Sequence, residues 1–303
     1  MKPRICLWIV TLCATACQTL WAADLEITSP RDFQVTQRAT PAKGQIRIAA
    51  QLAIDVATDA VIETRLSAAG AASQAAWQRF NAKIADRTIT GLLEAPAGGW
   101  WRLGLRVSQS GRVVAEGQVE HVGIGEVFVI AGQSNSANHG EEKQSPQTGR
   151  VATFDGMAWR LAHDPQPGAS GNGGSFLPPF GDEIVKQQQV PVGIVACGIG
   201  ATSVREWLPK GTTFPNPPTL VGRVERLPDG QWSSKGAAFE MFVARMKSLG
   251  PHGFRAVLWH QGESDANQKD PTRTLPGNLY REYLTHLITA SRRAIGWEAP
   301  WFV

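Results

Sequence analysis

The hydrophobic pattern of the chain changes near residue 124. Before this point apolar and polar residues alternate in three segments, at 45–54, 60–68 and 100–122. Alternation with a period of two is typical of strands with one buried face, and Ser110-Gly111 interrupts the third segment as a hairpin turn does. The pattern predicts a small all-β, sandwich-like module over residues 24–123.

Beyond residue 124 the apolar runs become continuous. There are three of them: VFVIAG (127–132), VPVGIVACG (190–198) and FRAVLWHQG (254–262). Strands that are buried on both faces look like this, as in parallel sheets. Helix candidates lie at 182–189, 235–250 and 278–296, and Gly296 is well placed to end the last of them. The alternation predicts an α/β domain with a parallel sheet covered by helices, whereas residues 139–180, rich in Gly, Pro and Ser, predict a loop.

The N-terminus resembles a secretory signal. Lys2 and Arg4 precede an apolar stretch that ends near Leu20, and small residues follow at Ala22 and Ala23. This order predicts a signal peptide over residues 1–23, cleaved near Ala22 or Ala23, and a secreted or periplasmic protein. No later stretch has the roughly 18 uninterrupted apolar residues of a membrane span.

The remaining composition narrows the possible partners. Three of the four cysteines lie in the signal segment, so Cys197 has no cysteine to pair with in the mature chain. One of the three, Cys17, leaves a bacterial lipid anchor as an alternative to a freely soluble protein. The net charge of +4 comes without a dense basic run, which argues against nucleic acid or a membrane surface as a partner.

Small and polar residues follow each of the three continuous runs. They are Gly132-Gln133-Ser134-Asn135, then Gly198-Ile199-Gly200-Ala201-Thr202-Ser203, then His260-Gln261-Gly262-Glu263-Ser264-Asp265. Ligands bind beyond the carboxyl ends of parallel strands, where neighbouring loops converge. The three motifs therefore predict one site at a common edge.

Ser134 is the candidate nucleophile of this site. If it begins a helix, its backbone N–H is free to stabilise negative charge nearby. The alternative is that Ser134 or Asn135 only caps the helix. The stretch is not the nucleophile elbow of α/β-hydrolases, because Ser136 stands where that motif needs a second glycine.

Gly200 and Gln261 are candidate hydrogen-bond donors to an oxyanion. A glycine lets the backbone approach a ligand and expose its N–H, and a buried glutamine offers an amide donor. The alternatives are that Gly200 only makes a tight turn, and that the nearby Arg205 and Glu206 are a surface ion pair.

Together the sequences GQSN, GATSVREWLP (200–209) and WHQGESD (259–265) resemble the SGNH hydrolase superfamily. The similarity covers residues 125–303 and is specific to its sialate O-acetylesterase-like and acetylxylan-esterase-like carbohydrate esterases. It implies a flavodoxin-like three-layer sandwich over 124–303, with Ser134 as nucleophile. The oxyanion hole would consist of the Ser134 N–H, the Gly200 N–H and the Gln261 side chain. Asn135, Glu263 and His260 would be supporting residues, Glu263 either orienting a catalytic histidine or bracing the site.

One departure from the family pattern concerns the general base. The family's Asp-x-x-His segment does not occur in the 303 residues, and APWFV (299–303) resembles the first residues of a buried strand. We expect the catalytic His and Asp beyond Val303. His260 is an alternative base, but side chains alternate along a strand, so His260 and Gln261 should not both point at one spot. A structural or substrate-contact role suits His260 better.

The sequence thus predicts a serine esterase that removes O-acetyl groups from a polysaccharide or a sialic acid. Acetylated carbohydrate is the expected partner. We expect no cofactor and no metal, because neither a phosphate-binding glycine loop nor metal-ligand spacing occurs. The alternative is a non-catalytic carbohydrate-binding protein that keeps the pocket, with Trp77, Trp100 and Trp101 as a sugar-stacking platform.

Overall fold

The computed structural model describes residues 23–57, 59–266 and 269–303. The signal segment and Cys17 therefore lie outside the described residues, apart from Ala23, which begins the first strand. No helix in these ranges is both long and apolar enough to cross a membrane.

Up to residue 124 the described chain consists of strands and turns. The strands are β1 (Ala23–Ser29), β2 (Gln34–Gln37), β3 (Lys43–Leu52), β4 (Val61–Ala68), β5 (Gln78–Arg79), β6 (Ala82–Ala85), β7 (Thr88–Pro96), β8 (Gly98–Gln109) and β9 (Arg112–Gly132). In β3 the alternation seen in the sequence buries Ile46 and Ile48 and exposes Arg47 between them. The hairpin at Ser110-Gly111 is confirmed: both residues have positive φ, and Gln109 faces Arg112.

The strand β9 runs across the predicted boundary at residue 124. Its first half pairs antiparallel with β8, and its second half pairs in parallel with strands on both sides. The all-β part of the chain and the α/β part therefore share one continuous strand. The position of Ser134 is tied to the N-terminal strands through this backbone.

The second half of the chain is a mixed α/β fold. Its strands are β10 (Val151–Phe154), β11 (Trp159–Leu161), β12 (Val192–Ala196), β13 (Thr213–Phe214), β14 (Val224–Arg226), β15 (Trp232–Ser234), β16 (Ala256–His260) and β17 (Trp301–Phe302), and its helices are α1 (Leu177–Gln188), α2 (Ala237–Ser248), α3 (Glu263–Ala266) and α4 (Gly277–Ile295). The sheet order is β11-β10-β12-β9-β16-β17, parallel except for β11. The strands β13, β14 and β15 form a separate small antiparallel sheet.

Helices cover both faces of this sheet. Val127 and Val129 of β9 pack in the same apolar cluster as residues of α2 and α4, whereas Phe128 and Ile130 pack with α1. Every residue from Val122 to Gln133 is buried, and the continuous apolar run at 127–132 predicts this for the centre of the segment. The predicted helix end is confirmed, since Gly296 adopts φ of 80° and donates its N–H to Arg292 O at 2.9 Å.

The prediction that residues 139–180 are only loop is wrong. This region contains β10 and β11, and α1 begins within it at Leu177. All four residues of β10 are buried, but a run of four is too short to stand out between glycines and prolines. The remainder of the region packs over the carboxyl edge of the sheet.

Candidate active site

The carboxyl ends of β9, β12 and β16 meet at one edge of the sheet. Ile199 donates its N–H to Gly132 O at 2.9 Å, and Gln133 donates its N–H to His260 O at 2.8 Å. A Cβ on Gly132 would lie 2.0 Å from His260 O, so only glycine allows these strand ends to approach so closely. The three motifs singled out in the sequence therefore converge.

Ser134 lies at this edge as the first residue of a single 3-10 turn, Ser134–Ser136. It is half-buried, and its hydroxyl makes no hydrogen bond with any residue that the structure describes. The residue preceding the turn is Gln133, so Ser134 is not a helix cap. The helix expected after Ser134 is only this turn, so a helix dipole contributes little here. Asn135 is exposed beside it.

Gly200 faces the segment that follows Ser134. A Cβ on Gly200 would lie 2.2 Å from His139 Nε2, so glycine is required by the close approach of the imidazole. The Gly200 N–H donates to Ser170 Oγ at 2.7 Å, and Ser170 Oγ lies 3.3 Å from His139 Nε2. The backbone N–H of His139 in turn donates to Ser134 O at 3.3 Å. No pattern in the sequence connects Ser170 with the site, because the contact depends on a loop that is distant along the chain.

Gln261 points into the protein rather than into open space. Its Nε2 lies 2.8 Å from Asp265 Oδ2, 2.9 Å from Thr202 O and 3.1 Å from Gln133 Oε1. An amide nitrogen has two hydrogens, and these three acceptors engage both of them. Gln261 donates to an oxyanion only after giving up one of these partners. In the arrangement observed, it joins the ends of the three strands.

Asp265 is the centre of a buried polar network behind Gln261. It accepts hydrogen bonds from Ser203 Oγ at 2.6 Å and from the Val204 N–H at 2.9 Å, and it pairs with Arg205 Nη2 at 3.3 Å. The interpretation of Arg205 and Glu206 as a surface pair is wrong, because both side chains are fully buried and each binds other groups. Arg205 and Glu206 can be buried because the network supplies hydrogen-bonding and charged partners for them. The pattern of charges along the sequence does not reveal these partners.

Burial raises the pKa of Glu206 to about 7. The hydrogen bond from the Ser203 N–H, at 2.8 Å, and the Arg223 guanidinium, at 3.7 Å, oppose this effect only in part. The neighbouring carboxylate of Asp265 raises the pKa further. The layer beneath the strand edge thus contains a carboxyl group that changes its charge near neutral pH.

His260 and Glu263 lie at the end of β16, and β9 separates this strand from β12, which leads to Gly200. The His260 Nδ1 is 4.0 Å from Glu263 Oε1, and it has no hydrogen-bond partner among the described residues although that atom is buried. The ring of His260 lies 5.8 Å from the ring of Phe176. Both predicted roles of Glu263, orienting a histidine and bracing, remain predictions.

A cavity of about 410 Å³ opens at Asn135, the residue that follows Ser134. Polar side chains, two glycines and one aromatic ring line it: Asn135, Gly140, Glu142, Gly174, Ser175, Phe176 and His260. Such a volume is in the range of small-molecule sites. Among the described residues, no three His, Cys, Asp or Glu side chains are grouped closely enough to hold a metal ion.

None of the tryptophans of the predicted sugar platform lines this cavity, and Trp77 and Trp100 are occupied by other contacts. The Trp77 ring has the guanidinium groups of Arg65 and Arg106 at 4.3 and 4.4 Å from its centroid. Trp100 donates its indole N–H to Gly149 O at 2.9 Å, which connects the β-strand region to the α/β region.

The fold and the strand edge define an α/β protein with a candidate serine-hydrolase site. The family model described as carbohydrate esterase, sialic acid-specific acetylesterase, matches residues 124–303. The chain belongs to this family of carbohydrate esterases.

Two solved structures are similar to the chain, and both are distant. A carbohydrate acetylesterase from Xanthomonas citri has 20% sequence identity and a TM-score of 0.45, over 89% of this chain and 57% of its own. A cycloisomaltooligosaccharide glucanotransferase from Paenibacillus sp. has 10% identity and a TM-score of 0.23, over 90% of this chain and 43% of its own. The chain thus spans little more than half the length of the first structure. No curated protein matches it.

Proposed function

We propose that the protein is a serine esterase that removes O-acetyl groups from carbohydrate through an acyl-enzyme on Ser134. The observation that carries this proposal is the half-exposed Ser134 hydroxyl, without a hydrogen-bond partner among the described residues, at an edge shared with the Gly200 N–H. Membership in a carbohydrate esterase family supports the reaction type.

In the proposed reaction Ser134 Oγ attacks the acetyl carbonyl carbon. The carbonyl oxygen becomes the oxyanion, and the backbone N–H groups of Ser134 and Gly200 stabilise it. The Gln261 amide is the third donor, at the expense of one of its present acceptors. The C–O bond to the sugar then breaks, and the sugar oxygen leaves as a hydroxyl after taking a proton from the general base.

The general base accepts the Ser134 proton and later activates the water that releases acetate. The family resemblance implies that this base is a histidine in an Asp-x-x-His segment, which does not occur in residues 1–303. We propose that His260 instead contacts substrate, since it lines the cavity beside Asn135. Glu263 would brace it across the 4.0 Å gap.

The cavity at Asn135 would hold the sugar ring that carries the acetyl group. Its volume suits one monosaccharide unit, and the Asn135, Glu142 and Ser175 side chains in its walls are hydrogen-bonding groups for sugar hydroxyls. An acetylated polysaccharide outside the cell would agree with the signal segment proposed for residues 1–23.

Acetate release from acetylated xylan and from O-acetylated sialic acid tests the proposal. We expect a chain that also carries the implied Asp-x-x-His base to release acetate from at least one of them, and its Ser134→Ala variant to release it several orders of magnitude more slowly. Ser145→Ala is the matched control, since Ser145 does not line the cavity and its Oγ is 2.9 Å from His163 Nδ1. Equal release by wild type and Ser134→Ala, with both folded by circular dichroism, would contradict the proposal. Binding without release would favour the carbohydrate-binding alternative.

A further inference from the structure

The Gly200 N–H, a proposed oxyanion donor, already has a partner in the structure. Ser170 Oγ accepts from it at 2.7 Å, which is a short distance for an N–H···O hydrogen bond. A backbone N–H has one hydrogen, so an acyl oxygen and the Ser170 hydroxyl compete for the same donor. If the Gly200 N–H donates to the oxyanion, the Ser170 oxygen holds the position that the oxyanion would take on this N–H.

The backbone of Ser170 is held firmly at this position. Its N–H donates to Gly198 O at 2.9 Å, and Gly173 N–H donates to Asn138 O at 2.8 Å. The Asn138 side chain fixes the start of the same loop, because it donates to Gln166 O at 2.9 Å and accepts from the Gln166 N–H at 2.8 Å. The loop is thus joined to the segment that follows Ser134. The hydroxyl can leave Gly200 by rotating about its own side-chain bond, without opening the loop.

His139 provides a second partner for the rotating hydroxyl. Its Nε2 lies 3.3 Å from Ser170 Oγ. When that nitrogen is unprotonated it is an acceptor for the hydroxyl hydrogen, and this acceptor does not depend on the Gly200 N–H. A hydroxyl that stays near His139 on leaving Gly200 thus has another partner, which would lower the cost of displacement.

We propose that Ser170 is a positioning residue that occupies the oxyanion position on Gly200 in the unliganded protein and yields it to the acyl oxygen of the substrate. The proposal rests on the function proposed for Ser134 and Gly200. Ser170 would keep the N–H directed at the site. It would also weaken the binding of a tetrahedral ligand, compared with a protein in which the Gly200 N–H has no partner.

Binding of phenylboronic acid tests this competition directly. The Ser134 Oγ–B bond forms as the hydroxyl proton passes to solvent, and the boron becomes tetrahedral with a negatively charged centre. One boronate oxygen then takes the oxyanion position. Titration calorimetry would compare the dissociation constants of the full chain, Ser170→Ala, Ser170→Thr and the control Ser145→Ala. Because one hydrogen bond is at stake, we expect Ser170→Ala to bind about threefold to tenfold more tightly. Ser170→Thr, which retains the hydroxyl, and Ser145→Ala should match wild type.

Three outcomes separate the possible failures. Equal or weaker boronate binding by Ser170→Ala, with the adduct still lost in Ser134→Ala, overturns the role of Ser170 and leaves the proposed function intact. An adduct that persists in Ser134→Ala, or no adduct in any variant, contradicts the proposed function itself. Amide hydrogen exchange at Gly200 provides a check independent of the ligand, since it should become faster in Ser170→Ala and not in Ser170→Thr. Unchanged exchange would also overturn the proposal.

Discussion

Glu126 and Glu206 are both buried carboxyl groups, one at the join between the two parts of the chain and one beneath the candidate site. Burial by itself would raise the pKa of both groups. At Glu126 the hydrogen bonds from Arg255, Gln37 and Arg38 outweigh burial, and the pKa falls below its ordinary value. At Glu206 burial prevails, and the pKa rises to about 7.

The difference lies in the partners that each carboxyl group has. Glu126 receives Arg38 Nε and Arg255 Nε at 2.7 Å each, so two cations hold one anion. The nearest guanidinium that pairs with Glu206 is that of Arg223, at 3.7 Å, and Asp265 adds a second negative charge nearby. The charge of Glu126 is compensated by two guanidinium groups, and this ion pairing connects the two parts of the chain. The charge of Glu206 is compensated only in part, so this carboxyl group beneath the strand edge changes its protonation with pH. Three substitutions test this contrast.

The largest effect is expected for Asp265→Ala in the layer beneath the site. This substitution leaves the fully buried Arg205 without its anionic partner and releases Gln261 from one of its acceptors. Losing one member of a buried ion pair costs about 3–5 kcal/mol of unfolding free energy. Urea denaturation would measure it against Asp55→Ala, which removes an exposed partner of Arg87 and should change the unfolding free energy little. Similar losses for the two variants would contradict the account of the network.

A smaller loss is expected for Glu126→Gln at the join. The amide still accepts from one arginine, but it presents N–H groups to the other. Hydrogen bonds to charged groups contribute about 1.5–3 kcal/mol, so we expect a loss in that range at neutral pH. The matched control is Glu94→Gln at the exposed pair with Lys43, which should change the unfolding free energy little. A Glu126→Gln variant as stable as wild type would show that the join does not depend on this charge.

An effect of the opposite sign is expected for Glu206→Gln. Its folded pKa of about 7 lies above its ordinary 4.5, so the folded protein binds the proton more tightly than the unfolded chain. Wild-type stability should therefore fall as pH rises from about 4.5 to 7 through this group. The variant lacks that slope: it should match wild type near pH 5 and exceed it above neutral pH. Thermal denaturation across this range would measure it, and identical profiles would contradict the prediction.

Much of the fold could be predicted because it depends on local patterns. Continuous apolar runs identified the strands around Ser134, and a single glycine identified the end of α4. The convergence of the three motifs followed from the rule that parallel strands place their carboxyl ends at one edge. These features need no knowledge of distant contacts.

The parts that could not be predicted depend on which distant groups a polar side chain meets. Charged residues are mostly exposed, so nothing in the sequence indicated that Arg205 and Glu206 are buried. Gln261 was expected to face a ligand, but its direction is decided by Asp265, four residues later, and by Thr202 from another strand end. The contact between Ser170 and Gly200 depends in the same way on how a long loop folds back.

The most direct test of the central claim is reaction of the full chain with a fluorophosphonate ester. In this reaction the Ser134 Oγ–P bond forms, fluoride leaves and the hydroxyl proton passes to a base or solvent. Peptide mass spectrometry would locate the phosphonate, and Ser134→Ala would be treated in parallel. The account predicts modification of Ser134 in the wild type and none in the variant. Modification of a different residue, or of the variant to the same extent, would contradict it.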